Sequence, residues 1–236
     1  MIYITGDIHG NVKQMEYVME RINTNSNNTL IVLGDFGGNY YCNKKDNYFK
    51  DAIKEYGINI FAIRGNHDAN PIKIKDIEEI DKYNNKGYIQ EEYPEIFYAK
   101  NGEEYIIEGS KFLVLGGAYS VDKFYRLEKG WRWFSDEQMS ESEKDNFWKK
   151  NIKTTQNILS HTCPYSNIPR HLFLSQIVQS TVDNSMEMFL EKVKNNVKWD
   201  HWFFGHYHAN EQVEKNMYML YDGIIHYKPV GQYAIY

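Results

Sequence analysis

The sequence predicts a layered α/β domain, and three observations predict it. Short apolar runs that end in small or polar residues alternate with stretches of helical period. The first three runs all deliver their last residues into loops rich in Gly, Asp, Asn and His. Further along, the pattern changes to short β-prone pieces separated by turn residues, which read as hairpins. A length of 236 residues suits a sizeable core, and we read residues 1–236 as a single domain.

Ile2 to Thr5 is the first strand, broken by Gly6 to Gly10. Val12, Met15, Met19 and Ile22 then recur at helical spacing, so a helix is predicted from Asn11 to about Asn23. Thr29 to Leu33 is the second strand, ending at "GDFGGN". Phe49, Ala52, Ile53 and Tyr56 mark a second helix, stopped by Gly57. Ile58 to Ile63 is the third strand and runs into "RGNHD". From about Tyr88 to Gly117 the hairpin pieces are Ile96 to Ala99, Tyr105 to Glu108 and Phe112 to Leu115. Ser135 with Gln138 suggests a capping box for a polar helix over Asp136 to Lys150. Asn157 to Ser160 is a short strand, Ser185 to about Asn195 a helix, and Trp199 to Phe204 the last strong strand. Met217 to Tyr236, with Gly223 and Gly231 as turn points, reads as terminal hairpins. No internal repeat or low-complexity tract interrupts the chain.

Composition narrows the class of function. The chain is 42% hydrophobic and 25% charged, which excludes disorder and fibrous repeats. Aromatics reach 16%, with 20 tyrosines, and are expected mostly in core and pocket walls. A net charge of −5 lacks the basic footprint of a non-specific nucleic-acid binder, so nucleic acid is not the expected partner. Cys42 and Cys163 form neither a C-x-x-C pair nor a disulfide scaffold, which suits a reducing interior. No window reaches the roughly 18 apolar residues of a membrane span, and "MIYITGD" carries no basic leader. The expectation is a soluble cytoplasmic protein with no membrane partner.

Five of the eight histidines, His9, His67, His161, His206 and His208, directly follow predicted strands, whereas His171, His201 and His226 do not. Asp7 and His9 flank Ile8, so both side chains can turn to one side, and His206 and His208 repeat that spacing. Asp35 and Asn66 add oxygen donors. In open α/β sheets ligands collect beyond the carboxyl ends of the strands, where all these loops emerge, so one shared site is expected.

In order, "GDIHG" at Gly6 to Gly10, "GDFGGN" at Gly34 to Asn39, "GNHD" at Gly65 to Asp68, "SHTCP" at Ser160 to Pro164 and "GHYH" at Gly205 to His208 resemble the five motifs of the calcineurin-like metallophosphoesterases. The resemblance implies a two-sheet β-sandwich flanked by helices, with a dinuclear metal site at the carboxyl-terminal edge of the strands. By motif position, Asp7, His9 and His208 would hold one metal, Asn66, His161 and His206 the other, and Asp35 would bridge both. Mixed imidazole, carboxylate and amide donors suit two divalent transition-metal ions, Mn foremost and Fe, Zn, Ni or Co as alternatives, better than Ca or Mg. The family chemistry is in-line attack of metal-bound hydroxide on a phosphate ester, with His67 protonating the leaving oxygen.

The chain departs from the family's protein phosphatases, which carry an Asp and then an Arg where Gly38 and Asn39 stand. The carboxylate that orients the acid and a cation that grips the phosphoryl group are therefore missing there. "GGAYSVDKFYRLEKGWRW", Gly116 to Trp133, offers Lys123, Arg126 and Arg132 as replacements. The plainer reading of that stretch is a solvated hairpin, and its aromatics are also suited to stacking a base. Asn39, Lys123, Arg126 and Arg132 are the candidate substrate contacts. Residues 118–185 include a possible cap, with the polar stretch Tyr165 to Ser185 its aperiodic part. The favoured substrate is a small phosphodiester or nucleotide. Phosphoprotein phosphatase, nuclease and non-catalytic interaction module are the rival readings, the last opposed by a complete ligand set.

Overall fold

The computed structural model describes residues 1–173 and 179–228. One sheet contains β1 (Ile2–Thr5), β2 (Thr29–Val32), β3 (Asn59–Ala62), β4 (Ile77–Lys82), β5 (Asn85–Gln90), β6 (Tyr93–Ala99) and β13 (Ile224–Tyr227). Its order is β13-β1-β2-β3-β6-β5-β4. The other contains β7 (Glu104–Ile107), β8 (Ser110–Leu115), β9 (Asn157–Ser160), β10 (His201–Phe204), β11 (Glu211–Glu214) and β12 (Met217–Met219), in the order β11-β12-β10-β9-β8-β7. The helices are α1 (Val12–Met19), α2 (Lys44–Lys54), α3 (Lys123–Glu128), α4 (Glu141–Lys149) and α5 (Ser185–Asn196). Strands β1, β2 and β3 run parallel, as do β8, β9 and β10.

Side-chain alternation explains the layering. Ile2, Ile4, Ile31 and Phe61 face inward and meet Phe112, Val114, Leu159 and Phe203 of the second sheet. Tyr3, Leu30, Val32 and Ile60 point the other way, onto Met15 and Val18 of α1 and Phe49 and Ile53 of α2. Leu113, Ile158, Trp202 and Phe204 likewise cover Phe147 of α4 and Phe189, Leu190 and Val193 of α5. These strands are apolar on both faces because both are covered. Each fully buried side chain of this size contributes about 1.5–3 kcal/mol. The predicted two-sheet sandwich with flanking helices is the fold that results.

Several elements differ from expectation for identifiable reasons. Helix α1 ends at Met19, short of Asn23, where an Asn-rich turn takes over and Asn28 Nδ2 donates to the Asn23 carbonyl at 2.7 Å. The polar helix begins later than Asp136: Ser140 caps α4, and its box partner is Glu143. Gln138 instead reaches α5, whose Met186 amide donates to its Oε1 at 3.2 Å. Strands β4 and β11 went unpredicted because the charged residues of "IEEIDK" and "EQVE" mask the β pattern, and β5 because Asn85 and Gly87 are poor strand formers. The segment from Met217 does not close as a hairpin, since β12 joins one sheet and β13 the other. Its second turn point, Gly231, lies outside the described residues. The Gly116 to Trp133 stretch contains α3 where a hairpin was expected.

Candidate metal centre

Each of the five motifs occupies the carboxyl end of a parallel strand, β1, β2, β3, β9 or β10. Backbone bonds stitch these loops together. The amides of Ile8 and His9 donate to the Asp35 carbonyl at 3.1 and 2.6 Å, and Gly205 N donates to the His161 carbonyl at 2.9 Å. Carboxylates join loops as well. His67 N donates to Asp35 Oδ1 at 2.7 Å, and His206 N to both Asp7 oxygens at 3.1 Å. Four of the seven candidate ligands have left-handed backbone: His9 at φ 52°, Asp35 at 47°, His206 at 71° and His208 at 51°. Such a residue costs on the order of 1–3 kcal/mol, and strain of this kind concentrates at functional sites. Gly34, at φ 90°, lies flat against the His161 ring, where a Cβ would overlap the imidazole.

The side chains gather as two overlapping groups. His9 Nε2 lies 3.0 Å from His208 Nε2, which is 3.2 Å from Asp7 Oδ2. Asn66 Oδ1 faces His161 Nε2 at 2.8 Å and His206 Nδ1 at 3.1 Å. Between them Asp35 has one oxygen 3.5 Å from His161 Nε2 and the other 3.8 Å from His9 Nδ1. Asp7, His9 and His208 can meet around one ion, as can Asp7, Asp35 and His161.

The donor set fits cations. His161 Nδ1 donates to the Leu33 carbonyl at 2.7 Å, so a neutral His161 aims its Nε2 lone pair at another acceptor, Asn66 Oδ1. Asn66 cannot turn to relieve this, because its Nδ2 donates to Ser120 Oγ at 2.9 Å. Ser120 donates in turn to Glu137 Oε2 at 2.5 Å, which also accepts from Trp133 Nε1 at 2.7 Å. Lone pairs turned on one another by a fixed outer shell suit a divalent ion among them. In the metal-free protein, charge is balanced otherwise. Burial lowers the His161 pKa, but Asp35 and Asp7 outweigh it and raise it to about 9. Burial, reinforced by His161, holds His206 well below the usual imidazole value. Burial works against the Asp35 charge, yet His161 and His67 bring its pKa well below the carboxylate range.

Above the centre opens a cavity of about 780 Å³, lined by His9, Asp35, His67, Tyr40, Tyr41, Lys45, Arg126, Trp131 and Arg132 among others. His67 Nε2 is 3.9 Å from Asp35 Oδ2 and 3.2 Å from Arg126 NH2. Of the four candidate substrate contacts, Arg126 and Arg132 line this cavity. Asn39 does not: it is buried, donates to Tyr98 OH at 2.7 Å and accepts from Lys50 Nζ at 3.3 Å. Nor does Lys123, whose ammonium sits 4.2 Å from the centre of the Trp133 ring. Sequence reasoning passed over Asp68, although "GNHD" contains it. It also passed over Ser120 and Glu137, which no local motif marks.

The calcineurin-like phosphoesterase model matches residues 1–210. The chain belongs to that family. Members of this family hydrolyse phosphate esters with bound metal, in keeping with the ligand groups above. One solved crystal structure shares the fold at a TM-score of 0.54 and 13% identity, over 95% of this chain and 93% of its own. TT1561 of Thermus thermophilus is similar at a TM-score of 0.48 and 14% identity, over 93% of this chain and 87% of its own. Among curated proteins none matches the chain. No helix among the described residues is long and apolar enough to cross a membrane.

Proposed function

We propose that the protein hydrolyses a small phosphate ester at a centre of two divalent transition-metal ions, with Mn the first candidate. The observation that carries the reading is the convergence of seven metal-competent side chains from five loops, four of them on left-handed backbone. Asp7, His9 and His208 would hold one ion, Asn66, His161 and His206 the other, and Asp35 would bridge them. Such a pair, when bound, supplies positive charge to phosphoryl oxygens and a nucleophilic water at neutral pH. His67 borders the same cavity and is the proposed proton donor to the leaving oxygen, a role contributing about 10²- to 10⁴-fold in rate. Burial, aided by Arg126, lowers its pKa, while Asp35 opposes the shift. The cavity volume and the rings of Tyr40, Tyr41 and Trp131 support a substrate larger than phosphate alone.

The test is elemental analysis with a panel of esters. Protein purified without chelator should carry close to two metal ions, and chelation should abolish hydrolysis with rescue by Mn. Asp35→Asn should be the most damaging ligand change, because it removes negative charge shared by two cations. A protein without metal after expression with metal supplied, or an Asp35→Asn variant with both ions and near-normal turnover, would refute the centre.

A further inference from the structure

Six of the loops at one edge of the sandwich follow the parallel strands β1, β2, β3, β8, β9 and β10, and five of those six carry candidate ligands. The sixth follows β8 and contains α3, a helix with no buried residue. An arginine on so exposed a helix would ordinarily extend into water. The Arg126 side chain is only 14% exposed, and each of its nitrogens is partnered. Nε donates to Asp122 Oδ2 at 2.7 Å and NH1 to Tyr40 OH at 3.1 Å, and NH2 lies 3.2 Å from His67 Nε2. Asp122 occupies the N-cap position of α3 but makes no capping bond with its side chain. A carboxylate at that position usually caps the helix, and this one holds a guanidinium instead. Tyr40, from the loop after β2, fixes the same group from the other side.

We infer that Arg126 grips the phosphoryl group of the substrate, that Asp122 and Tyr40 position it, and that the preferred substrate is a phosphomonoester dianion. The inference rests on the phosphoesterase reading. Gly38 and Asn39 are uncharged and offer the phosphoryl group no cation, and the Asn39 amide is committed to Tyr98 and Lys50. Arg126 supplies that charge from a different loop, beside the proposed acid and on the wall of the metal cavity. A guanidinium can bind two oxygens at once, and its geometry suits a phosphate with three non-bridging oxygens. A monoester dianion carries one more charge than a diester, so it gains more from this cation in the ground state and along the reaction. The ground for favouring a diester, an unreplaced cation, is thereby removed.

The experiment compares wild type with Arg126→Ala and Arg126→Lys on p-nitrophenyl phosphate and bis-p-nitrophenyl phosphate. Calorimetry of inorganic phosphate binding to the Mn-loaded protein adds a readout independent of turnover, and metal content is measured for each variant. Arg126→Ala should lose about 100-fold in kcat/KM on the monoester and about tenfold or less on the diester, with weaker phosphate binding. Arg126→Lys should regain only part of the phosphate affinity, having the charge without the planar geometry. Lys123→Ala should alter neither. Asp122→Asn and Tyr40→Phe should weaken phosphate binding at unchanged melting temperature and metal content; loss of affinity only alongside melting temperature would remove their positioning role. Equal proportional losses on both esters, or unchanged phosphate affinity in Arg126→Ala, would overturn the assignment. A wild type that hydrolyses neither ester, yet binds phosphate through Arg126, would instead sink the phosphoesterase reading and leave the anion grip standing.

Discussion

Asp68 touches no candidate ligand side chain through its carboxylate, yet it ties two of the ligand loops together. Its oxygens accept from the amides of Phe36 at 3.3 Å, Gly37 at 3.0 Å and Gly65 at 2.9 Å. Burial and the neighbouring Asp35 charge push its pKa up to about 6, while the Gly37 and Gly65 amides pull the other way. Asp68→Asn would turn an amide donor toward backbone donors, a mismatch costing about 1–3 kcal/mol. It should therefore weaken Mn binding about 10- to 100-fold, as loss of outer-shell support does elsewhere. Titration of the chelated protein with Mn would measure this, and wild-type affinity in the variant would show that the loops hold without the carboxylate. The same reasoning assigns Ser120 its part, since a hydroxyl with both a donor and an acceptor partner fixes which end of the Asn66 amide faces the centre.

Among the elements, α5 carries an internal conflict. Glu187 in its first turn is buried, accepts from Thr162 Oγ1 at 2.7 Å, and leaves Oε2 without a partner. Burial raises its pKa above the ordinary 4.5. A carboxyl with a raised folded pKa binds its proton more tightly in the native state. Its contribution to stability is thus complete below the unfolded value and is lost as pH rises through the folded one. Glu187→Gln removes the ionisation while keeping an acceptor for Thr162. The variant should melt above wild type at about pH 8, with the gap narrowing toward about pH 5. Thermal unfolding across that range, with metal held constant, checks the sign, and a pH-independent gap would contradict the argument. The unpredicted strands have a physical reason of their own. Those of β4 and β11 are sheet edges, where charge protects against pairing with other chains and hides the alternation that reveals a buried strand.

For the whole molecule, the centre is a clasp between the sheets: Asp7, Asp35 and Asn66 come from loops of one, and His161, His206 and His208 from loops of the other. Ions bound at the proposed centre would join both layers of the native state and would find no such arrangement in the unfolded chain. Metal should therefore raise the melting temperature, by the equivalent of about 2.7 kcal/mol at a free concentration 100-fold above its dissociation constant. Imidazoles bind metal only when neutral, so the rise should be larger in mildly alkaline than in mildly acidic buffer. Calorimetric scans with Mn and with chelator test this, and Asp35→Asn should abolish most of the rise. A melting temperature indifferent to metal in wild type would mean that the clasp does not form.

The sequence by itself determined the fold class and named the candidate donors of the proposed metal centre. Apolar runs ending in Gly, Asp, Asn and His record both strand burial and the loops beyond, and each motif is local, so "GDIHG" or "GHYH" can be read without knowing its neighbours. The tertiary structure decided what local pattern does not encode. Asn39 and Arg126 were both candidate substrate contacts, and nothing in their spacing showed which of them reaches the site. Packing turned Asn39 toward Tyr98 and Lys50, while the parallel run of β8 beside β9 brought the loop bearing Arg126 to the metal edge. The physical reason is range. A motif acts through residues a few positions apart, whereas Arg126 meets His67 across 59 positions and Tyr40 across 86, contacts that exist only once both sheets have closed on their shared core.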